Sequence, residues 1–278
     1  MGIAQSIVRH SVDLLPDWAR SRVRDVPLVR PVHRWLINTF IGRAPFDYTL
    51  TAGPAKGVRF RIEMPQDKLI WTGTYESSFA RELSRHVEHG AVCYDVGGFR
   101  GYMTGVMAAA GAAKVVVFEP NPENFTALQT LSQLNPAFPI SVVPFCLADT
   151  DGAAEFELLT DRSMGRLANV ALQVDQAILE RREVQLRRID SLVSQGELPP
   201  PDVMKIDVEG AELEVLSGGS NTIAKRRPVI LLEAHSSELA AGCTSFLEGK
   251  GYRVQSLDAE DQAAAVTTHL LGVPRSNA

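Results

Sequence analysis

The amino-acid sequence predicts an α/β fold: a mostly parallel, twisted sheet with helices on both faces, closed by a C-terminal antiparallel hairpin. Three observations carry this expectation. Short apolar runs alternate with helix-forming stretches from Ala91 to Lys250, and a parallel pair of strands needs a helical crossover between them. A glycine-rich turn, with Asp95 followed by Gly97, Gly98 and Gly101, separates the first such strand from the first helix. An acid, Glu119, then closes the second strand, about where a ribose-binding carboxylate is expected after a glycine turn.

Taken in order, residues 1–45 read as an amphipathic helical arm. Ile3, Ile7, Val8, Val12, Leu15 and Trp18 recur at near-helical spacing, and Pro16, Pro27 and Pro31 break the pattern into short pieces. Alternating residues around Val58 to Ile62 predict a small hairpin. A helix over Glu76 to Glu88 follows and Gly90 stops it. Strands are expected at Ala91–Tyr94, Lys114–Phe118, Ile140–Leu147, Val203–Ile206 and Val229–Leu232, with helices at Tyr102–Ala110, Glu123–Leu134, Ala211–Leu216 and Ser237–Lys250. Glu155–Leu159 and Glu183–Arg188 read as strands flanking a polar excursion, Thr160 to Arg182, placed to cover the site. Tyr252–Leu257 and Ala264–Leu271 form the closing hairpin. The expected division is residues 1–70 for substrate or oligomer contacts and 71–278 for the main domain.

With 278 residues, 45% hydrophobic and 22% charged, the chain can bury a sizeable core. Its formal net charge of -5 argues against a nucleic-acid binder, which needs a basic footprint. The charge is uneven, because Arg9, Arg20, Arg22, Arg24, Arg30, Arg34 and Arg43 outnumber the acids of the arm. Packing on the main domain or on a second copy is the plain expectation for that arm, and peripheral contact with an anionic membrane is the alternative. Cys93, Cys146 and Cys243 lack metal-type spacing and suit a reducing cytoplasm. Neither a secretory signal nor a transmembrane span is expected.

The turn is D-x-G-x-x-x-G and lacks the G-x-G-x-x-G of dinucleotide sites. An acid at its mouth repels a pyrophosphate and favours a cationic cofactor. S-adenosylmethionine, with its ammonium and sulfonium, fits better than a nicotinamide dinucleotide. Asp95, Glu119, Asp207 and Glu233 all follow strands, so they line up along the sheet edge where ligands bind.

Seven blocks in order carry a more specific signal: GTYE at Gly73, YDVGGFRGYMT at Tyr94, FEPNPENF at Phe118, LADTDG at Leu147, RRIDSLV at Arg187, MKIDVEGAELEVLSGG at Met204 and VILLEAH at Val229. Together they resemble the FkbM-type S-adenosylmethionine-dependent methyltransferases from about Trp71 to Tyr252. The resemblance implies a Rossmann-like class I methyltransferase fold and O-methylation of a hydroxyl on a sugar, glycan or natural product. It implies that Asp95, Gly97 and Gly101 shape the methionine end of the cofactor pocket, that Glu119 holds the ribose, with Asn121 beside it, and that Asp149 reaches the adenine. Tyr75 and Glu76 are expected to line the same pocket, and Asp207 to reach both cofactor and acceptor. The chain departs from the family where alanine and asparagine usually follow DVG: here they are Gly98 and Phe99.

Methyl transfer to oxygen needs in-line geometry and removal of one proton. His235 is the expected base, because an ordinary imidazole accepts a proton near neutral pH. Asp207 competes for that role. No metal ligand set is assigned, but Asp207 and Glu209 holding a divalent cation that acidifies the hydroxyl stays open. Lys205 is expected in a structural salt bridge. Two other readings remain: a non-catalytic interaction protein on the same fold, and a nicotinamide-dependent oxidoreductase.

Overall fold

The computed structural model describes residues 44–161, 163–170, 176–258 and 267–275. A hairpin of β1 (Phe46–Thr49) and β2 (Arg59–Ile62) comes first, then α1 (Lys68–Trp71) and α2 (Ser77–His86). The alternating part runs β3 (Val92–Val96), α3 (Tyr102–Ala109), β4 (Lys114–Phe118), α4 (Pro122–Leu134) and β5 (Ile140–Val143). An excursion follows: β6 (Cys146–Leu147), β7 (Gly152–Leu159), β8 (Gly165–Leu167) and β9 (Ile178–Arg187). The chain then returns through α5 (Ile189–Ser194), β10 (Val203–Ile206), α6 (Glu212–Gly218), α7 (Ser220–Arg226), β11 (Val229–Ala234) and α8 (Ser237–Gly249) to β12 (Tyr252–Ser256) and β13 (Thr268–Pro274).

The main sheet has seven strands in the order β12-β13-β11-β10-β3-β4-β5. Five of them, β11, β10, β3, β4 and β5, are parallel, and β13 and β12 add antiparallel pairs at one edge. This is the predicted sheet with its closing hairpin. Apolar residues run continuously along the parallel strands because both faces are covered. Cys93, Val115 and Val117 face the core shared with α2, α3, α4 and the β1–β2 hairpin, while Tyr94, Val116 and Phe118 face the core under α5, α6 and α8. Each such buried side chain is worth roughly 1.5–3 kcal/mol.

Three differences from the sequence reading have physical causes. The strand expected over Ile140–Leu147 is broken at Pro144, which cannot donate to a ladder; β5 stays in the main sheet and β6 pairs with β9 in a separate four-stranded sheet. The polar excursion is more ordered than a loop, since β8 and the exposed first half of β9 pair with β7. Sequence alternation is silent in the first half of β9 because solvent covers both of its sides. Short helices α1, α5 and α7 were not anticipated, each spanning two turns or fewer. The amphipathic arm falls outside the described residues, apart from its last two, and so does the start of the strand expected at Ala264.

Strand order places the chain reversal between β3 and β10, where the connections leave in opposite directions and a crevice opens at the carboxyl ends. Lys205 of β10 spans this crevice from below. Its Nζ donates to the Gly97 carbonyl at 2.6 Å and pairs with Asp207 Oδ2 at 3.2 Å and Asp95 Oδ1 at 3.6 Å. Asp95 is fully buried and also accepts from Thr104 Oγ1 at 2.5 Å. The glycine turn is equally constrained. A Cβ on Gly97, whose φ is +80°, would lie 1.8 Å from the Asp207 carbonyl oxygen, and one on Gly98 would lie 2.2 Å from Val117 Cγ1. Gly98, the departure from the family pattern, therefore matches a bulky Val117 beneath it.

Two outcomes follow for stability. Lys205→Met strands the fully buried Asp95 and should lower the unfolding free energy by about 3–5 kcal/mol in urea titrations, with a smaller loss at pH 5 than at pH 8 as Asp95 takes up a proton. An equal loss at both values would contradict the assignment. Gly98→Ala should cost about 1–3 kcal/mol through overpacking, and combining it with Val117→Ala should cost less than the two single changes summed.

Candidate functional site

A cavity of about 300 Å3 opens at the carboxyl ends of β3, β4 and β10. Backbone from the glycine turn forms one wall, with Gly97 and Phe99. Tyr75 covers it, its ring stacked on Phe99 at 6.3 Å between centroids and set edge-on to Tyr102 at 5.6 Å. Tyr102 also donates to the Gly73 carbonyl at 3.1 Å, which anchors the Gly73–Glu76 segment over the turn.

Glu119 forms the floor beyond β4. Its Oε2 accepts from the Phe99 N–H at 2.8 Å and its Oε1 from the Asn121 N–H at 2.9 Å. Each oxygen keeps a further lone pair for a ligand. Burial pushes this carboxyl up to about 7, although the Asn121 and Phe99 amides favour its charged form. Asn121 has a second task, since its side chain caps α4 by accepting from the Glu123 N–H at 3.0 Å, with Pro122 at the first helical position.

The far end is an apolar slot. Phe118, Phe145, Leu147, Phe156, Met164 and Leu167 line it, so the excursion supplies its outer wall. Asn124 joins them, donating from Nδ2 to the Ser163 carbonyl at 2.9 Å while its buried Oδ1 has no partner. The apolar members were missed in the sequence because a slot wall has no spacing signature; Asn124 was visible only as a letter within the FEPNPENF block.

At the other end the cavity meets Asp207 and Glu209. His235 lies behind them, 7% exposed, and does not itself line the cavity. Its Nδ1 is 2.8 Å from Oε1 of the fully buried Glu212, and its Nε2 stands 3.4 Å from Glu209, 3.7 Å from Asp207 and 4.0 Å from Glu233. Burial works to lower the imidazole, yet the Glu212 hydrogen bond and the charges of Glu209 and Asp207 push it up to about 9. Where a base open to the cavity is the expectation, the imidazole instead stands behind Asp207 and Glu209 with its Nδ1 tied to Glu212.

Tyr75, Gly97, Glu119, Asn121, Asp207 and Glu209 thus gather at one cavity. Asp95 lies beneath it, held by Thr104 and Lys205, and acts on the turn from below. Gly101 starts α3 against Leu128 and Leu131 and does not line the cavity. Glu76 borders a neighbouring depression together with His269, and burial raises its carboxyl, Lys205 opposing. Asp149 stands exposed on the bend after β6, outside the lining. Lys205 exceeds its expected role, since its bond to the Gly97 carbonyl couples the salt bridge to the turn. Glu76, Phe99 and Glu209 all have positive φ, at 40°, 47° and 53°, a left-handed geometry that costs an ordinary side chain roughly 1–2 kcal/mol each. Phe99 and Glu209 line the cavity and Glu76 stands beside it, whereas Arg227, with φ 56°, ends α7 elsewhere.

A family model described as the methyltransferase FkbM domain matches residues 95–254. The hexuronic acid methyltransferase AglP of Haloferax volcanii is 32% identical over 165 residues, covering 58% of this chain and 63% of that protein. The chain thus spans less than two thirds of the length of this curated relative. Among solved structures, methyltransferase FkbM from Methylobacillus flagellatus aligns with a TM-score of 0.48 at 17% identity, over 66% of this chain and 43% of that one. Precorrin-6y C5,15-methyltransferase from Geobacter metallireducens aligns at 0.45 and 12% identity, over 72% and 89%. With more than half of its length matched by the family model, the chain belongs to the FkbM methyltransferase family.

Proposed function

We propose that the chain transfers the methyl group of S-adenosylmethionine to a hydroxyl of a sugar or glycan, in the cytoplasm where its unpaired, buried cysteines would stay reduced. The observation that carries this reading is Glu119, a buried carboxylate held by two backbone amides at the end of β4, open toward a cavity with an apolar slot on one side and acids on the other. A ribose on Glu119 would place the adenine among Phe145, Leu147, Met164 and Leu167 and the cationic sulfonium toward Asp207. Family membership supports the reaction class, and the hexuronic acid named for the relative supports an acidic sugar as the first acceptor to test.

In this reading the enzyme's main work is alignment of the acceptor oxygen, the methyl carbon and the sulfur, which is worth on the order of 7–11 kcal/mol. The acceptor would enter beside α2, where a depression bordered by Glu76 and His269 also carries Arg81, a cation suited to a sugar carboxylate. Asp207 and Glu209 would stand beside the acceptor hydroxyl and favour loss of its proton. Among the described residues, no helix is long and apolar enough to cross a membrane.

Calorimetric titration with S-adenosylhomocysteine, with NADH as control, tests the cofactor. Binding of the first alone is expected; binding of NADH alone would favour an oxidoreductase, and binding of neither would favour a non-catalytic protein. Ribose hydroxyls donate to the ionised form of Glu119, whose carboxyl sits at about 7 in the free protein. Affinity should therefore be level above about pH 7 and fall by up to about tenfold per unit below it. Glu119→Gln should flatten that dependence and weaken binding by roughly 1–3 kcal/mol. A wild-type affinity that stays constant from about pH 5 to 8 would take Glu119 out of the site. Transfer of a labelled methyl group should be faster to a uronic-acid-terminated oligosaccharide than to its neutral counterpart, and the reverse order would reject the acidic acceptor.

A further inference from the structure

We propose that Asp207, Glu209 and His235 form a divalent-cation site that binds the acceptor through two adjacent oxygens and ionises the one to be methylated. This rests on the methyl-transfer reading of the same cavity. One ligand atom from each of the three side chains lies within 4.8 Å of the others. A shared octahedral ion would set adjacent ligands roughly 3.0 Å apart and opposite ones roughly 4.2 Å apart, given bonds of about 2.1 Å.

The imidazole supplies an independent observation. His235 is more than nine-tenths buried, and its Nε2 makes no hydrogen bond, although the oxygens of Glu209 and Asp207 face it at 3.4 and 3.7 Å. Charge-assisted N–H···O bonds close to about 2.7–2.9 Å when nothing intervenes, so these separations suit two ligands around an ion better than a direct pair. At the opposite ring nitrogen, Glu212 Oε1 accepts from Nδ1 at 2.8 Å and is itself fixed by the Gly210 N–H at 2.9 Å. A buried carboxylate behind a histidine is the usual support of a metal-ligating imidazole, because it fixes the tautomer and aims the other nitrogen at the ion. Glu212 is thus a positioning residue.

Two carboxylates with one imidazole suit Mn2+, which accepts both oxygen and nitrogen donors. Three protein ligands leave about three positions of six for water or substrate, enough for a vicinal diol or a hydroxy-acid edge of a sugar. Asp207 and Glu209 also line the cofactor cavity, so an oxygen bound there faces the methyl end. The acceptor O–H bond breaks with its proton leaving to water. The oxygen then forms the bond to the methyl carbon as the carbon–sulfur bond breaks, and the bonding electron pair stays on sulfur, which departs as a neutral thioether.

The test uses the full chain, stripped with chelator and titrated with Mn2+ while the free-ion signal is followed by electron paramagnetic resonance. One Mn2+ per chain is expected, with affinity reduced at least tenfold in Glu209→Gln and in His235→Asn, and less in Glu212→Gln. Glu209 is partly exposed, so its variant should keep the wild-type melting temperature and report the site even if the histidine variant fails to fold. S-adenosylhomocysteine binding is measured in the same samples with and without Mn2+. A chain that binds the nucleoside but takes up no Mn2+, or takes it up equally in Glu209→Gln, overturns the cation site alone. A chain that binds Mn2+ but no nucleoside overturns the methyl-transfer reading instead.

Discussion

Lys205 is the interaction on which the rest of the site depends. It is a buried cation at the reversal point of the sheet, and its three oxygen partners belong to the glycine turn, the strand before it and the loop after β10. A lone ammonium at that depth would be very costly, as would Asp95 alone. Paired, they offset one another and lock the crevice at one width. That width leaves no room for a Cβ on Gly97. The turn backbone can then approach a ligand closely, and Phe99 can reach Glu119 with its amide.

Around this fixed base the site is built from segments with little freedom. Phe99 and Glu209 hold left-handed backbone, and each is tied on a different side: Phe99 by its amide bond to Glu119 and its stacking on Tyr75, Glu209 by the crowded acids near His235. The strain is tolerated because a packed core on each face of the sheet over-determines these turns. The two ends of the cavity thereby differ in chemistry. One offers a paired carboxylate and an apolar slot, the other a dense group of acids around one imidazole.

Much of this was legible in the amino-acid sequence, for stated reasons. Parallel strands buried on both faces give continuous apolar runs, so β3, β4, β10 and β11 could be read directly. Post-strand acids pointed to the edge at which the cavity opens. What could not be read depends on tertiary placement. His235 carries ordinary chemistry by sequence, and only the approach of Glu212 and Glu209 from another segment changes its proton affinity. Asp149 and Gly101 sit in recognisable blocks, yet one faces solvent and the other packs on α4. The slot wall from Phe156 to Leu167 belongs to a small sheet whose exposed strands carry no alternation.

The most direct measurement is a crystal structure of the chain with S-adenosylhomocysteine bound. The account places both ribose hydroxyls on Glu119, the adenine between Phe145, Leu147, Met164 and Leu167, and the sulfur on the side of Asp207. A nucleoside bound elsewhere, or one whose ribose faces away from Glu119, would contradict it.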